Sequence, residues 1–391
     1  MHGDKMKGYL LKAWISGKRL VMDREIKKEL IEKAIARFQT EGSVKSYERY
    51  GNGHINDTFA VVIEEALKER RYILQRINSS IFKDPEKLMF NITKVTSFLK
   101  EEVRKLGGDE LREVITVIQT GDGNSFYTDE EGSFWRMYLF IEDASCFDQV
   151  NKPEDFYQSA VAFGRFQKLL SAFDASSLYE VIPDFHNTPL RYERFLQVVK
   201  EDKCNRAKDV KEEIEFFIKR KADMECCKNY LDEGKLPLRV THNDTKLNNV
   251  MIDNKTGNGL CVIDLDTVMP GLSLFDFGDS IRFGANTAAE DEKDLSKVSL
   301  DLELFEQYVK GYLAGCEGSL TDTEISMLPH GAKTMTLECG MRFLTDYLEG
   351  DVYFRIHREE HNLDRCRTQM ALVLDMEEKW DKMNVIVSKY C

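Results

Sequence analysis

The apolar pattern of this chain turns predominantly helical from about residue 150, and that change limits the folds open to it more than any other feature. Before that point short runs such as SYERYGNGHINDTFAVVIEE, RRYILQRIN and SFWRMYLFIE read as strands. From about residue 150 the apolar spacing becomes three and four, as on helices buried along one face. A strand-rich part followed by a helix-rich part predicts an α+β architecture in two units. The expected boundaries are an extension over 1–21, a first unit over 22–143 and a second over 144–391.

The first unit reads as helix, three strands, helix, two strands. Residues 23–39 place Ile26, Leu30, Ile31, Ala34 and Phe38 on one helical face, with Asp23 as the cap. SYERYGNGHINDTFAVVIEE predicts a strand, a turn at Gly51-Asn52-Gly53 and a second strand over Thr58–Ile63, and RRYILQRIN a third. A helix is predicted over 85–106, opening on Pro85 and closing at Gly107-Gly108. REVITVIQT and SFWRMYLFIE are the last two strands, joined by the turn GDGNSFYTDEEG. In the second unit FYQSAVAFGRFQKLLSAF, RYERFLQVVKED and KDVKEEIEFFIKRKADMECCKNYLDEG read as helices, and one β-rich island over 238–268 interrupts them.

Charge and cysteine usage narrow the function classes. With 68 acidic and 55 basic residues the net charge is −13, which argues against nucleic acid or an anionic membrane as a partner, while leaving room for a local phosphate pocket. No apolar run approaches the roughly 20 residues needed to span a bilayer. Nine cysteines without a CxxC pair, and an opening stretch MHGDKMKGYLLKAWISGKRL without a continuous apolar core, predict reduced thiols and a cytoplasmic location.

The densest cluster of reactive residue types lies in the β-rich island: His242-Asn243-Asp244-Thr245-Lys246-Leu247-Asn248-Asn249, followed by Asp264 and Asp266 in VIDLD. An Asp accepts a hydroxyl proton, a Lys two residues on neutralises a moving phosphoryl group, and an Asn five residues on offers an amide oxygen to a divalent cation. A strand ending in Asp adds a charged oxygen ligand suited to Mg²⁺. Phosphoryl transfer needs positioning and charge neutralisation more than covalent help, and these residues at this spacing supply both.

The string resembles the catalytic loop of the aminoglycoside phosphotransferase and choline kinase superfamily, the small-molecule relatives of protein kinases. His242, Asp244, Asn249, Asp264 and Asp266 match its pattern. The resemblance covers most of residues 40–390 and implies a bilobal kinase-like fold, with ATP between a five-stranded antiparallel N-terminal sheet and a mostly helical C-terminal part. Within the superfamily GNGHINDTF, YILQRIN, WRMYLFIE, THNDTKLNNV, VIDLDTVMPG, FDFGDSIR and RFLTDYLEGDVYF are similar to the N-acetylhexosamine 1-kinases. That implies ATP- and Mg²⁺-dependent phosphorylation of the anomeric hydroxyl of N-acetylglucosamine or N-acetylgalactosamine. The alternatives are another small hydroxyl acceptor (aminoglycoside, choline or another sugar) or a nucleotide-binding pseudokinase.

By this resemblance Asp244 is the base, Lys246 faces the γ-phosphate, His242 buttresses the loop, and Asn249 and Asp264 hold Mg²⁺. Asp266 takes a second metal or braces Asp264. Gly51, Gly53, His54 and Asn56 form the turn over the nucleotide, and the backbone at Tyr138, Leu139 and Phe140 forms the adenine hinge. The third strand lacks the lysine that many kinases use to hold the α- and β-phosphates. Strand alternation puts either Arg76 or Gln75 in the cleft, and Arg76 is the phosphate-binding candidate; its carboxylate partner is sought at Glu101 or Glu102. Asp279, Arg342, Asp346 and Tyr353 are the sugar-site candidates, although Arg342 and Asp346 also have the spacing of a helix salt bridge. His357-Arg-Glu-Glu-His361 has the HxxEH zinc spacing, which a solvated helix face also satisfies.

Overall fold

Helix α1 (Lys28–Ile35) turns Leu30, Ile31, Ala34 and Ile35 toward one face of a sheet. This computed structural model describes residues 26–51, 55–66, 68–150 and 152–390, so the expected Asp23 cap and the 1–21 extension lie outside the described residues. Strands β1 (Ser43–Arg49), β2 (Asp57–Glu64) and β3 (Glu69–Ile77) follow as an antiparallel meander. Helix α2 (Pro85–Lys105) starts on its proline, with the Asp84 carboxylate accepting the Lys87 N–H at 3.1 Å, and ends before Gly107, whose φ is 75°.

Beyond α2 lie β4 (Val117–Ile118), β5 (Tyr127–Thr128) and β6 (Phe134–Leu139). The sheet order is β1-β2-β3-β6, and β4 and β5 both pair with β6, so five strand positions are filled by six strands. The strand expected from REVITVIQT contracts to two residues because Val114 and Ile115 turn into the main core instead of pairing. Phe59, Val61, Tyr72, Leu74, Trp135 and Met137 pack under α1, while Ile77 and Tyr138 face α2 and the rest of the molecule. The two faces of this sheet therefore have different neighbours.

The C-terminal part is built on β7 (Ala144–Ser145), α3 (Pro153–Leu169), α4 (Thr188–Glu201), α5 (Lys211–Lys219), α6 (Lys221–Asp232), β8 (Arg239–Thr241), β9 (Val250–Asp253), β10 (Gly259–Val262), β11 (Met269–Gly271), α7 (Ser273–Gly284), α8 (Leu302–Cys316), α9 (Leu328–Glu349), α10 (His361–Glu378) and α11 (Trp380–Ser388). The long helix expected over 208–234 divides into α5 and α6 at Arg220, whose guanidinium donates to both Glu377 carboxylate oxygens at 2.9 and 2.7 Å. Apolar residues of α2 share one continuous core with α3, α7, α8 and α11. Asn91 of α2, fully buried, ties that helix across by donating to Tyr179 O (2.8 Å) and Val268 O (2.9 Å).

Helices α7 and α9 carry most of the charged residues discussed below, and glycine sets how closely they cross. A Cβ on Gly278 would stand 2.3 Å from Gly331 O, inside any real contact distance. Among the described residues no helix is long and apolar enough to cross a membrane.

Candidate active site

Strands β8 and β11 pair with Thr241 opposite Met269, which sets the loop after β8 beside the one before β11. Two residues there adopt left-handed backbone, Asn243 (φ 64°) and Asp264 (φ 59°). The Asn243 amide holds its own bend by donating to Thr241 O (3.2 Å) and Thr267 O (2.8 Å). Helix α7 fixes the loop from below. Asp276 accepts the N–H groups of His242 (2.9 Å) and Asn243 (2.8 Å), and Asp279 accepts that of Thr245 (3.2 Å). The buried His242 ring completes the frame: its Nδ1 accepts the Asp244 N–H at 3.3 Å, so the proton is on Nε2, which donates to Ile263 O at 2.8 Å. Both ring nitrogens are engaged in holding the loop.

On this frame Asp244, Lys246, Asn249 and Asp264 come together. Lys246 Nζ lies 2.7 Å from Asp244 Oδ1, and the Asn249 amide donates to Asp244 O (2.8 Å) and Oδ2 (3.2 Å). Burial pulls the Lys246 ammonium down, but Asp244 and Asp279 outweigh it and raise its pKa above the ordinary value. Asp264 opens to the cleft, and its side chain accepts no hydrogen bond from the described residues. The protein packed around it, with the charges of Asp266 and Asp244, pushes its pKa up to about 7. Among the described residues no donor meets the Asn249 amide oxygen either. An unpaired carboxylate beside an open amide oxygen is the donor chemistry of a hard divalent cation, which takes few protein ligands when phosphates supply the rest.

Asp266 has a different environment. Arg136 of β6 reaches across with Nη1 2.5 Å from Asp266 Oδ1 and Nη2 2.9 Å from Oδ2, and Asn56 donates to Oδ2 at 2.7 Å. Arg136 Nε donates to Gln75 Oε1 at 2.9 Å, and Gln75 in turn donates to Thr58 Oγ1 at 3.1 Å. Thr58, Gln75 and Arg136 form one cross-strand row in register. The next row is Asp57, Arg76 and Trp135, which alternation turns to the other face.

Arg76 is therefore not in the cleft: its Nε and Nη2 donate to Asp57 Oδ2 at 3.0 and 2.7 Å. The sequence left the choice between Arg76 and Gln75 open, and the Asp57 carboxylate opposite Arg76 decides it. Glu101 and Glu102 are no partners for a cleft cation, since Glu101 is exposed and Glu102 pairs with Lys105 at 2.6 Å.

Of the glycine-turn residues, Gly51 has φ 75°, and Gly53 and His54 lie outside the described residues. Asn56 points to Asp266 and to the Asn78 N–H (2.9 Å), tying β2 to the C-terminal part. At the expected hinge, the N–H groups of Leu139 and Phe140 already serve the sheet, donating to Thr116 O (2.9 Å) and Arg71 O (3.1 Å). Tyr138 buries its ring on the cleft face beside Arg136. Phe140 packs edge-on against Tyr50 at 5.6 Å, below the start of the glycine turn.

The sugar-site candidates separate into two kinds. Asp279 is occupied internally, accepting from Arg282 Nε (3.1 Å) and Nη2 (2.9 Å) besides Thr245; burial raises its pKa, but Arg282 and Lys246 outweigh that and lower it. Asp346 forms no salt bridge with Arg342. Its Oδ1 accepts the N–H groups of Val352 (2.9 Å) and Tyr353 (2.7 Å), and its Oδ2 those of Phe354 (2.9 Å) and the Asn362 amide (2.8 Å). With four donors on two oxygens, Asp346 shapes the loop that carries Tyr353. Arg342 is open: its guanidinium lies 5.6, 5.9 and 5.5 Å from the ring centres of Phe185, Tyr353 and Phe354, and among the described residues no carboxylate lies within 4.0 Å of it. Tyr353 is 66% exposed, so core packing does not explain it.

Two groups here escaped the sequence reading. Arg136 could have been found as a charge at an inward position of the otherwise apolar strand FWRMYL. Glu338 could not, because its partners are remote in sequence: it meets His186 Nδ1 at 2.8 Å and accepts from Thr188 Oγ1 at 2.5 Å. Of the two histidines with zinc spacing, His361 accepts the His357 N–H at 3.2 Å and meets Asp291 at 3.0 Å, which ties down the loop before α10.

Comparison with known proteins places this geometry. The protein is similar over its length to a microcompartment-associated aminopropanol kinase (14% identity, 91% of this chain and 98% of the other, TM-score 0.58). It is also similar to an aminoglycoside phosphotransferase from Alicyclobacillus acidocaldarius (11% identity, 92% and 96%, TM-score 0.59). A third similar structure is the spectinomycin phosphotransferase solved with ADP and spectinomycin (13% identity, 93% and 97%, TM-score 0.52). At these identities the likeness is one of fold, and the fold is kinase-like, with a sheet in the N-terminal region and helices in the C-terminal part. The sequence profile of the phosphotransferase enzyme family matches residues 46–313, more than half of the chain, around the loop and strand just described. The chain belongs to the phosphotransferase enzyme family.

Proposed function

We propose that this phosphotransferase moves the γ-phosphoryl group of ATP onto the anomeric hydroxyl of an N-acetylhexosamine, giving the sugar 1-phosphate. The observation that carries the reading is the convergence of Asp244, Lys246, Asn249 and Asp264 on one mouth of the cleft. Residues 22–143 serve as the nucleotide-binding unit and 144–391 as the catalytic and acceptor-binding unit.

Asp244 accepts the proton of the sugar hydroxyl as its oxygen forms a bond to the γ-phosphorus. The bond from that phosphorus to the bridging oxygen breaks, and the electron pair leaves with the nucleoside diphosphate. The Asn249 amide and the ammonium of Lys246 hold the Asp244 carboxylate in place. Lys246 then follows the phosphoryl oxygens as charge develops on them. Asn249 and Asp264 would hold Mg²⁺, which supplies charge neutralisation on the phosphates.

Arg342 favours a neutral acceptor over a cationic one. A guanidinium with no carboxylate within 4.0 Å among the described residues, walled by Phe185, Tyr353 and Phe354, repels the ammonium of choline or an aminoglycoside but serves hydroxyl and acetamido oxygens. Tyr353, held by Asp346, offers its exposed face to a sugar ring. A cytosolic location is supported by the eight described cysteines, all of which are free thiols.

Replacing Asp244→Asn tests the base. Turnover is expected to fall by about 10²–10⁴-fold with nucleotide affinity nearly unchanged. A variant that keeps most of its kcat removes Asp244 from the reaction.

A further inference from the structure

The sheet lacks a lysine where kinases hold the nucleotide phosphates, yet a cation stands one strand away. Gln75 is the residue of β3 that faces the cleft, and its register partner on β6 is Arg136. Arg136 is 1% exposed; its Nε donates to Gln75 and its Nη2 to Asp266, while Nη1 is ion-paired with Asp266 without hydrogen-bond geometry. Asp266 lies two residues beyond Asp264 on the same short turn, Leu265–Thr267, that follows Asp264's left-handed backbone. A buried arginine cannot be reached by a phosphate, so it does not grip the nucleotide as a strand lysine does. What it grips is the turn that carries the metal-site carboxylate. Asn56, bonded to the same Asp266 oxygen and to the Asn78 N–H, adds a second tie from sheet to turn.

We propose that Arg136 is a positioning residue that replaces the third-strand lysine: by clamping Asp266 from the sheet, it fixes Asp264 where the nucleotide's divalent cation must lie. It follows that Asp266 serves as an anchor: its Oδ2 accepts from Arg136 Nη2 and Asn56, and its Oδ1 lies 2.5 Å from Arg136 Nη1 as an ion pair without hydrogen-bond geometry. The arrangement also settles the charge. Three carboxylates, Asp244, Asp264 and Asp266, surround the cleft mouth, and the buried guanidinium cancels the one that the cation does not meet.

The proposal rests on the phosphotransferase reading, and binding measurements separate the two. Calorimetry would compare ADP affinity with Mg²⁺ and with EDTA in the parent protein, in Arg136→Met, and in the charge-neutral double variant Arg136→Met/Asp266→Asn. The double variant guards against a single replacement that fails to fold by leaving Asp266 buried and unpaired. Its affinity for Mg-ADP is expected to fall roughly tenfold or more, the size of effect seen when a group supporting a metal ligand is removed. Its affinity for metal-free ADP should change less than about twofold, because neither residue is within reach of the nucleotide itself. A double variant that folds and binds Mg-ADP like the parent makes the pair a packing device and overturns the proposal. A parent protein that binds no ADP under either condition sinks the phosphotransferase reading instead.

Discussion

Asp276 and Asp244 lie in neighbouring segments and both face the same loop, but their hydrogen bonds give them opposite characters. Asp276 is buried and receives two loop N–H groups and the Gln167 amide (3.1 Å), so its replacement by Ala orphans both N–H groups and leaves the Gln167 amide only its bond to Val240 O (2.9 Å). That should cost about 3 kcal/mol or more and lower the melting temperature together with activity. Asp244 carries a half-open carboxylate whose loss relieves repulsion with Asp264, so Asp244→Asn should keep its melting temperature while losing turnover. Thermal melts run beside single-turnover assays distinguish the two; equal destabilisation by both substitutions would contradict the division. Most of this was legible in the sequence, because the spacing of His242, Asp244, Asn249 and Asp264 is local. The choice between Arg76 and Gln75 was not, since it turns on strand parity and on Asp57 standing opposite in register. Asp346 was misread for a similar reason: its partners are the N–H groups of a loop six to eight residues away, and no helical spacing reveals them.

The crossing of α7 and α9 brings together the charged residues of the proposed acceptor side, because the first carries Asp279 and Arg282 and the second Glu338, Arg342 and Asp346. Gly278→Ala would push a methyl into Gly331 O, so it should destabilise the protein by about 1–3 kcal/mol, read as a lower denaturant midpoint. An unchanged midpoint would mean that the crossing is looser than its 2.3 Å clearance. Glu338 links α9 to the chain ahead of α4. Burial alone would raise its pKa, but His186, then Arg191 and Arg342, outweigh that and hold it down at about 2. A carboxyl depressed in the folded state contributes stability that is fully present above its ordinary pKa and is lost as the pH falls toward 2. Glu338→Gln should therefore destabilise most near neutrality, with the gap from the parent closing as the pH falls from about 4.5. A gap that stays constant with pH would assign the Glu338 effect to shape instead of charge. At this scale the sequence was most legible where caps and glycines mark ends, as for α2. It was least legible where burial competes with pairing: β4 shrinks to two residues because Val114 and Ile115 leave the strand for the core.

For the molecule as a whole, the shift to helical spacing near residue 150 foretold a sheet-bearing part followed by a mostly helical one. It did not foretell that α2 would share its core with the helical part through Leu88, Ile92 and Asn91, a join made by residues far apart in the chain. The N-terminal part therefore meets the segment around Asp266 and Val268 through fixed contacts, from Asn91 of α2 and from Asn56 and Arg136 of the sheet region. The net charge of −13 gives no preference for a neutral acceptor, because cationic substrates would be drawn to the surface. In the proposed reading that preference is assigned to Arg342 and its aromatic walls. The most direct measurement is phosphorus NMR of the protein with MgATP and, in turn, N-acetylglucosamine, N-acetylgalactosamine, glucosamine, choline and an aminoglycoside. The account predicts a new sugar 1-phosphate signal with the two acetylated sugars and none with the three cationic acceptors. A phosphorylated product formed only with a cationic acceptor would contradict it.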